Sequence, residues 1–477
     1  MKKLINFRAL LLVVSCFAVI GPASAASLLE IYQQALQSDP SIHEAEARRM
    51  AALEAKPQAR GAYLPQVGFG STYTDSTREG PDVVVDPQTQ IPVVVTATNE
   101  ADSLQWGFSL RQTLFRWDQI VNIKRANKTV ARAEAVREAA QQDLIVRVAQ
   151  RYFDVLAAED RLTSINADRR AIARRLEQAK QRFEVGLIAI TDVQESQAAY
   201  DQSIADEIAA KRSLATARNF LREITGEYVS ELKAPGDDFP LNTPSQSEQD
   251  WVTLSMNQNL NLVASRLDEQ LARDEIAFRR NGHYPTLDLV ANSGETEVDT
   301  RYSAPGQPVF TNNSTTTSDS ISLQFNIPIF SGGSTSSRVR EAVYLHRASL
   351  EQLQRVTRET ERQARDSYLG VLSERSRVNA LRQAVSSSQT ALEATQAGYE
   401  VGTRTIVEVL NSQFAVYAAI TNYYQSRYDY IMNVLRLKQA AGNLQIQDLE
   451  EIDEWLRDRP SPEQRLAEEE SASQPTR

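Results

Sequence analysis

The fold is decided by residues 332–402, whose second half reads VLSERSRVNALRQAVSSSQTALEATQAGYEVG (residues 371–402). Taking every seventh residue through this run gives nine uncharged positions, of which seven are apolar or aromatic beyond alanine: Val343, Leu350, Thr357, Ala364, Val371, Val378, Val385, Leu392 and Tyr399. A strict seven-residue repeat of this kind predicts a left-handed coiled coil. The run contains no proline, so at ~1.5 Å per residue it predicts one helix on the order of 100 Å long. Such a helix needs neighbouring helices to cover its apolar seam.

A second long helix is predicted over residues 117–184, which contain neither proline nor glycine. Apolar residues again recur at sevenfold spacing, with Arg169 as the exception; they are Val148, Val155, Leu162, Leu176 and Phe183. The chain therefore predicts two long helices, one in each half.

Both long helices end in the same turn. Residues 183–193 read FEVGLIAITDV and residues 399–409 read YEVGTRTIVEV, and the constant offset between them still holds at Gly226 and Gly442. This is an internal duplication. Each half is predicted as helix, strand, strand, very long helix, tight glycine turn and shorter returning helix, the returning helices being residues 191–224 and 406–441.

Strand segments with a period of two precede each long helix, at residues 67–73, 104–111, 284–291 and 321–330. Larger apolar side chains alternate there with small or polar ones, which is typical of transmembrane barrel strands. Each pair is predicted to enclose a polar loop of roughly 25 residues, at 77–102 and 294–319. The alternative is that these are half-buried strands of a soluble sandwich. This alternative is weaker because the pair of alternating segments occurs twice in the chain.

Four strands cannot close a membrane barrel, because the smallest such barrels have about eight strands and lipid does not tolerate open sheet edges. Two arrangements remain. Either the strands form a soluble sheet, or several chains each contribute four strands to a shared barrel. The alternation, the export signal and the long helices favour the second.

The predicted organisation follows from these elements. Residues 26–226 form repeat 1 and residues 250–442 form repeat 2, with a connector rich in Pro, Asp and Ser at residues 227–249. By length, the shorter helices before the strands (residues 27–60 and 249–280) and the returning helices together cover each long helix. The chain is predicted to close with a short helical segment at residues 443–458 and a disordered tail at residues 459–477.

The N-terminus has the composition of a secretory signal. Basic residues precede an apolar stretch at residues 9–20, and an Ala-Ser-Ala site ends at Ala25, which predicts a signal peptide over residues 1–25. A competing interpretation is lipidation of Cys16, the only cysteine. The formal net charge is -10, so nucleic acid is not expected as a partner. No other segment has the ~20 apolar residues of a membrane helix.

No catalytic or metal-binding pattern is present. The three histidines, His43, His283 and His346, lie at no metal-ligand spacing, and no nucleophile motif, phosphate-binding loop or dinucleotide-binding turn occurs. The sequence therefore predicts a protein that is not an enzyme and that has no metal or other cofactor.

The paired turns, together with the rest of the chain, resemble the TolC family of outer-membrane efflux ducts. The most specific matches are VGLIAITDV at residues 185–193 and GYEVGTRTIVEVL at residues 398–410, and the resemblance runs from Leu28 to Leu449. It implies a mainly α-helical fold in which each chain gives four transmembrane strands to a trimeric 12-stranded barrel. A tunnel of 12 coiled helices would continue the barrel into the periplasm of a Gram-negative cell.

The resemblance also implies partners and a gate. A periplasmic adaptor would dock near the two turns, and an inner-membrane RND, MFS or ABC transporter would deliver cargo. The docking turns are Val185, Gly186, Leu187, Val401, Gly402 and Thr403. Tyr399 and Arg404 on one hairpin would link to Thr191 and Asp192 on the other and hold the tunnel end shut.

The resemblance further implies two acidic rings inside the narrowed tunnel end, one helical turn apart, and their positions here are Glu408 and Asn411. The first keeps its charge and the second does not. The function that the resemblance implies is a passive exit duct in the outer membrane for multidrug efflux and type I protein secretion. The runner-up is a periplasmic coiled-coil scaffold or adaptor with a soluble sheet, and an exported hydrolase is a third interpretation.

Because Asn411 removes one ring of carboxylates, we expect weaker block by trivalent cations than in an Asn411→Asp variant. The measurement is single-channel current in planar bilayers during titration with a trivalent cation. Equal sensitivity of the two proteins would refute the prediction.

Overall fold

The computed structural model describes residues 25–229, 231–236 and 238–458. Apart from Ala25, the predicted signal peptide lies outside the described residues, as do Cys16 and the predicted tail at residues 459–477. The described chain is mainly helical, which confirms the predicted fold class.

The helices, numbered in chain order, are α1 (Leu28–Ser38), α2 (Pro40–Leu53), α3 (Ala55–Gly61), α4 (Trp117–Glu184), α5 (Ile190–Thr225), α6 (Glu248–Gln258), α7 (Leu260–Arg280), α8 (Ser334–Glu400), α9 (Ile406–Ala441) and α10 (Ile446–Asp453). Helices α4 and α8 have 68 and 67 residues, and the returning helices α5 and α9 have 36 each. The bounds of these four helices agree closely with the sequence prediction.

The strands are β1 (Gln66–Val85), β2 (Pro92–Phe115), β3 (Ala234–Pro235), β4 (Thr286–Ser303), β5 (Phe310–Asn326) and β6 (Leu456–Arg457). The larger sheet has the order β1-β2-β4-β5, and every neighbouring pair is antiparallel. Strands β1 and β5 are its edges. The register places Phe69 opposite Phe108, with ring centroids 5.1 Å apart.

The predicted polar loops at residues 77–102 and 294–319 are wrong, because most of their residues are strand. Strand β1 continues to Val85 and pairs through Val85 with Pro92, and β4 and β5 pair as far as Tyr302 and Phe310. The apolar alternation that predicts the strands stops before these residues. Backbone pairing does not need that alternation, and these residues are rich in Thr and Val, which favour strands.

Further boundaries differ from the prediction: the helix predicted over residues 27–60 is divided into α1, α2 and α3. Strand β5 ends at Asn326 rather than at residue 330, because Pro328 cannot donate a ladder hydrogen bond. The helix predicted over residues 249–280 is broken at Asn259, whose side-chain oxygen accepts a hydrogen bond from Leu262 N at 3.0 Å and caps α7.

The described residues form two compact units, the first from residues 25–40, 142–251 and 365–458 and the second from residues 41–141 and 252–364. The first unit has a dense apolar core in which the largest fully buried side chains are Leu28, Ile31, Tyr32, Leu144, Ile145, Tyr152, Phe153, Leu156, Ile431, Leu435 and Leu449. Arg169, the exception in the α4 seam, forms an ion pair through Nε with the buried Glu207 of α5 at 2.8 Å. A charged residue is tolerated in the seam because it has this partner.

Ion pairs join α4 to α7 in the second unit. Arg125 contacts Glu275 at 2.7 Å and Lys128 contacts Asp274 at 2.6 Å. Arg116, between β2 and α4, makes two hydrogen bonds to Asp288 of β4, the shorter at 2.7 Å. Asp288 is 5% exposed, so loss of its partner at this strand-to-helix junction costs far more than loss of a solvated pair.

Among the described residues, no helix combines the length and apolar character needed to cross a membrane. Within the same residues, no cluster of three or more His, Cys, Asp or Glu side chains is placed to hold a metal ion.

We expect Arg116→Gln to lower the free energy of unfolding by roughly 2 kcal/mol, because it leaves the Asp288 carboxylate buried without its charged partner. Thermal unfolding in detergent, followed by circular dichroism, measures the change. Arg301→Gln is the matched control, since Arg301 and Glu100 are exposed and 3.9 Å apart. The prediction is wrong if the two variants unfold at the same temperature.

Candidate functional site

The two Val-Gly turns close two helical hairpins of the first unit. The first hairpin comprises residues 142–225, from α4 and α5, and the second hairpin comprises residues 365–441, from α8 and α9. Gly186 and Gly402 have φ values of 77° and 78°, a left-handed conformation that glycine adopts without strain. This geometry explains why both turns carry glycine at that position.

Each turn satisfies the last carbonyls of its long helix in the same way. Leu187 N donates to Arg182 O and Gly186 N donates to Phe183 O, both at 2.9 Å. In the second turn Thr403 N donates to Gly398 O at 2.9 Å and Gly402 N to Tyr399 O at 3.1 Å. This is the Schellman motif, and its two bonds make each turn rigid.

The tips of the turns expose apolar side chains. Val185 is 70% exposed, Leu187 71% and Val401 75%. The structure thus brings the predicted docking residues to two short, rigid tips where a partner protein can reach them.

The predicted gate residue Arg404 bonds to its own helix. Its Nη1 donates to Glu408 Oε1 at 2.6 Å, while Thr405 N donates to Glu408 Oε2 at 2.7 Å. Thr405 and Glu408 form a capping box that starts α9. The backbone N–H of Thr405 and the Arg404 guanidinium lower the pKa of Glu408, so this predicted ring residue is ionised at neutral pH.

The other predicted gate residues are not joined to Arg404 within the chain. The guanidinium carbon of Arg182 lies over the Tyr399 ring, 5.5 Å from the centre of the ring. In the part of the chain that the structure describes, the Thr191 and Asp192 side chains make no hydrogen bond or ion pair. The predicted link between the hairpins therefore stays a prediction. Asn411, the other predicted ring residue, is exposed one turn beyond Glu408.

A polar chain centred on the buried Gln413 connects the two hairpins close to the turns, and sequence reasoning missed it. Arg175 Nε donates to Gln413 Oε1 at 2.7 Å, and Gln413 Nε2 donates to Asp168 Oδ1 at 2.7 Å. Burial raises the pKa of Asp168, although the bond from Gln413 works against the shift. Burial also lowers the pKa of Arg175. The available signal was a glutamine at equivalent positions of both repeats, Gln197 and Gln413, but no spacing rule says what such a residue contacts.

Arginines line a groove of about 960 Å³ beside this chain. Arg174, Arg175 and Arg182 of α4 face Gln396 and Tyr399 of α8 there. The groove is also lined by one carboxylate, that of Glu400, so it carries three arginines and one acidic residue, while the carboxylate of Glu408 is bonded to Arg404.

Comparison with known proteins gives a consistent result. A family model described as outer membrane efflux protein matches the chain twice, over residues 31–227 and 251–443. Outer membrane protein TolC of Vibrio cholerae serotype O1 is 36% identical over 447 residues, which cover 92% of this chain and 97% of that protein. Alkaline protease secretion protein AprF of Pseudomonas aeruginosa is 28% identical over 437 residues, covering 90% and 87%.

Solved structures share the fold. The crystal structure of the outer membrane protein VceC from Vibrio cholerae matches with a TM-score of 0.68 at 19% sequence identity, covering 87% of this chain and 96% of that one. At this identity the likeness shows the fold alone.

Because burial raises the pKa of Asp168, its ionised form destabilises the folded chain at neutral pH. We expect Asp168→Asn to be more stable than the natural chain at pH 7. The difference should vanish as the pH falls below the ordinary aspartate pKa, where the carboxyl is protonated in both the folded and the unfolded chain. Thermal unfolding between pH 3 and pH 8 measures this difference.

Glu408→Gln is the control of opposite sign. The pKa of Glu408 is lowered, so its stabilising effect is present at neutral pH and is lost as the pH falls. A gain in stability of Asp168→Asn that persists unchanged at low pH would contradict the assignment.

Proposed function

The chain belongs to the outer membrane efflux protein family, and we propose that three copies of it share one passive exit duct. The observation that carries the proposal is the four-stranded sheet with β1 and β5 at its edges. In a membrane, the edge N–H and C=O groups need partners, because each unsatisfied group costs several kcal/mol. A neighbouring copy can supply them if its β5 pairs with β1.

The side chains of the sheet support the same arrangement. Val67, Phe69 and Tyr73 are exposed along one face of β1, as are Leu104, Trp106 and Phe108 along the paired face of β2. A face this apolar is suited to lipid. Three copies would provide 12 strands, within the range of closed barrels. The helical hairpins would then extend into the periplasm and form the tunnel.

The cargo class follows from the relatives. One is a TolC outer membrane protein and another is named for secretion of an alkaline protease. The chain is an outer-membrane efflux and secretion duct, and its homologues are channels rather than enzymes. We assign it both multidrug efflux and type I protein secretion. The energy and the choice of cargo would come from an inner-membrane RND, MFS or ABC transporter.

A periplasmic adaptor would dock on the two turns. The exposed Val185, Leu187 and Val401 support this assignment, because apolar side chains at rigid tips gain free energy when a partner covers them. Gly186, Gly402 and Thr403 would hold the tips in shape.

The gate would be closed by links from Tyr399 and Arg404 to Asp192 and Thr191. In the described conformation Arg404 bonds to Glu408 instead, so closing requires Arg404 to exchange partners. One solvated link is worth about 1 kcal/mol at most. Closure would therefore depend on several links repeated around the threefold axis, which a docked adaptor could shift. Glu408 and Asn411 would line the narrowed entrance.

We expect the double variant Tyr399→Phe/Arg404→Gln to conduct several-fold more current than the natural trimer, because both links of the gate are lost. Each single variant should show a smaller rise. Planar-bilayer recordings of the purified, unboiled trimer measure the effect. Arg355→Gln is the control, since Arg355 is an exposed residue of α8 that pairs with Glu359 of the same helix at 3.1 Å.

The proposed duct itself is tested by the natural chain. It should migrate as a heat-modifiable trimer from the outer-membrane fraction and conduct ions. A water-soluble monomer that never enters liposomes would overturn the proposal.

A further inference from the structure

We propose that Gln413 is a latch of the entrance, which holds the second hairpin to the first by bridging Arg175 and Asp168. The inference rests on the proposed duct and adds to its gate a residue that lies away from the turns. Gln413 is a positioning residue, because it acts by fixing the distance between two helices.

Both polar atoms of the Gln413 side chain have hydrogen-bond partners. The Gln413 side chain is 2% exposed, and its two polar atoms serve different partners on α4. Its oxygen accepts from Arg175 Nε at 2.7 Å, and its nitrogen donates to Asp168 Oδ1 at 2.7 Å and to Asp168 O at 3.3 Å. If the Gln413 amide were turned over, its NH₂ group would face the Arg175 Nε–H, and two donors cannot bond to each other. The amide therefore has one orientation in the bridge.

The bridge lies close to the turns, where spreading of the tips would move the two hairpins apart. Arg175 lies ten residues before Val185, and Gln413 lies eleven residues after Gly402. At ~1.5 Å per residue, Arg175 is about 14 Å from the end of α4 at Glu184, and Gln413 is about 10 Å from the start of α9 at Ile406. Spreading the tips apart pulls α9 away from α4 at this level and breaks the bridge.

Burial makes this link different from the links at the turns. Separation would leave the buried Gln413 and the half-buried Arg175 and Asp168 with unmet hydrogen bonds until water enters, and a buried polar group without a partner is costly. The exposed pair of Arg404 and Glu408 has no such penalty, because water replaces the lost partner at once. The buried bridge therefore resists opening more strongly than any one solvated link.

The duplication supplies a matched comparison. Gln197 occupies the equivalent position of the first repeat, but its Nε2 donates to Asp201 of its own helix at 3.0 Å, and this bond is exposed. The same residue thus stabilises one helix locally in the first repeat and joins two hairpins in the second. Of these two glutamines, the one in the second repeat is placed to act as a latch.

The test compares Gln413→Leu with Gln197→Leu in planar bilayers. Leucine has a similar length but no polar atom, so Gln413→Leu should raise the single-channel conductance several-fold. Gln197→Leu should leave it unchanged. Unboiled gel migration verifies that each variant is still a trimer, and thermal unfolding measures any loss of stability.

A reciprocal exchange separates the bridge from general packing. Gln413→Glu alone places two carboxylates together and should also open the entrance. Combined with Asp168→Asn, it restores the pattern, because the carboxylate introduced on α9 then accepts from both Arg175 and the amide introduced on α4. The double variant should return to the natural conductance.

The outcomes are distinct. Trimers of Gln413→Leu that are less stable but conduct like the natural chain would show a purely structural role and overturn the proposal. A double variant that conducts as strongly as Gln413→Glu alone would do the same. If the natural chain forms no channel at all, the proposed function fails first, independently of Gln413.

Discussion

The burial of a sevenfold apolar seam is the constraint on which the rest of the structure depends. A helix of 68 residues without covering partners would expose the whole seam to water. The other long helix, α8, shows how much of the seam one chain covers: Ala364, Val371 and Val378 are fully buried, while Leu350 remains exposed. The returning helices α5 and α9 have only 36 residues, so each covers part of its long partner. Assembly of three copies, as proposed, gives the exposed part of the seam further neighbours.

The sequence predicted those parts of the molecule that repeat with a strict period or that need a special backbone conformation. The long helices followed from sevenfold spacing, and the turns followed from Val-Gly at equivalent positions. The strand lengths did not follow, since the Thr-rich and Val-rich residues beyond the apolar alternation pair through their backbones. The break at Asn259 was also missed, because a capping asparagine inside a helical pattern resembles an ordinary polar position.

The candidate site shows the same division. The positions of Val185, Gly186 and Gly402 could be predicted because they belong to the turns. The partner of Arg404 and the bridge at Gln413 could not, because both depend on which side chains packing brings together. Gln197 and Gln413 are both glutamines at equivalent positions of the two repeats. Gln197 bonds to Asp201 of its own helix, whereas Gln413 bonds to Asp168 of α4.

This difference between equivalent residues bears on how a duct can be both stable and able to open. If several buried bonds joined the two hairpins close to the turns, opening would have to break all of them and the entrance would stay shut. If there were none, closure would depend only on exposed pairs worth about 1 kcal/mol or less each. The Gln413 bridge lies nearer the turns than the buried bond from Tyr428 Oη to Asp160 Oδ2 at 2.6 Å, which also joins the two hairpins. In the proposed trimer it would therefore be the first of the two to break when the tips separate. The adaptor that we propose to dock on the exposed tips would then spread the hairpins by leverage, because the tips lie beyond the bridge on the same long helices.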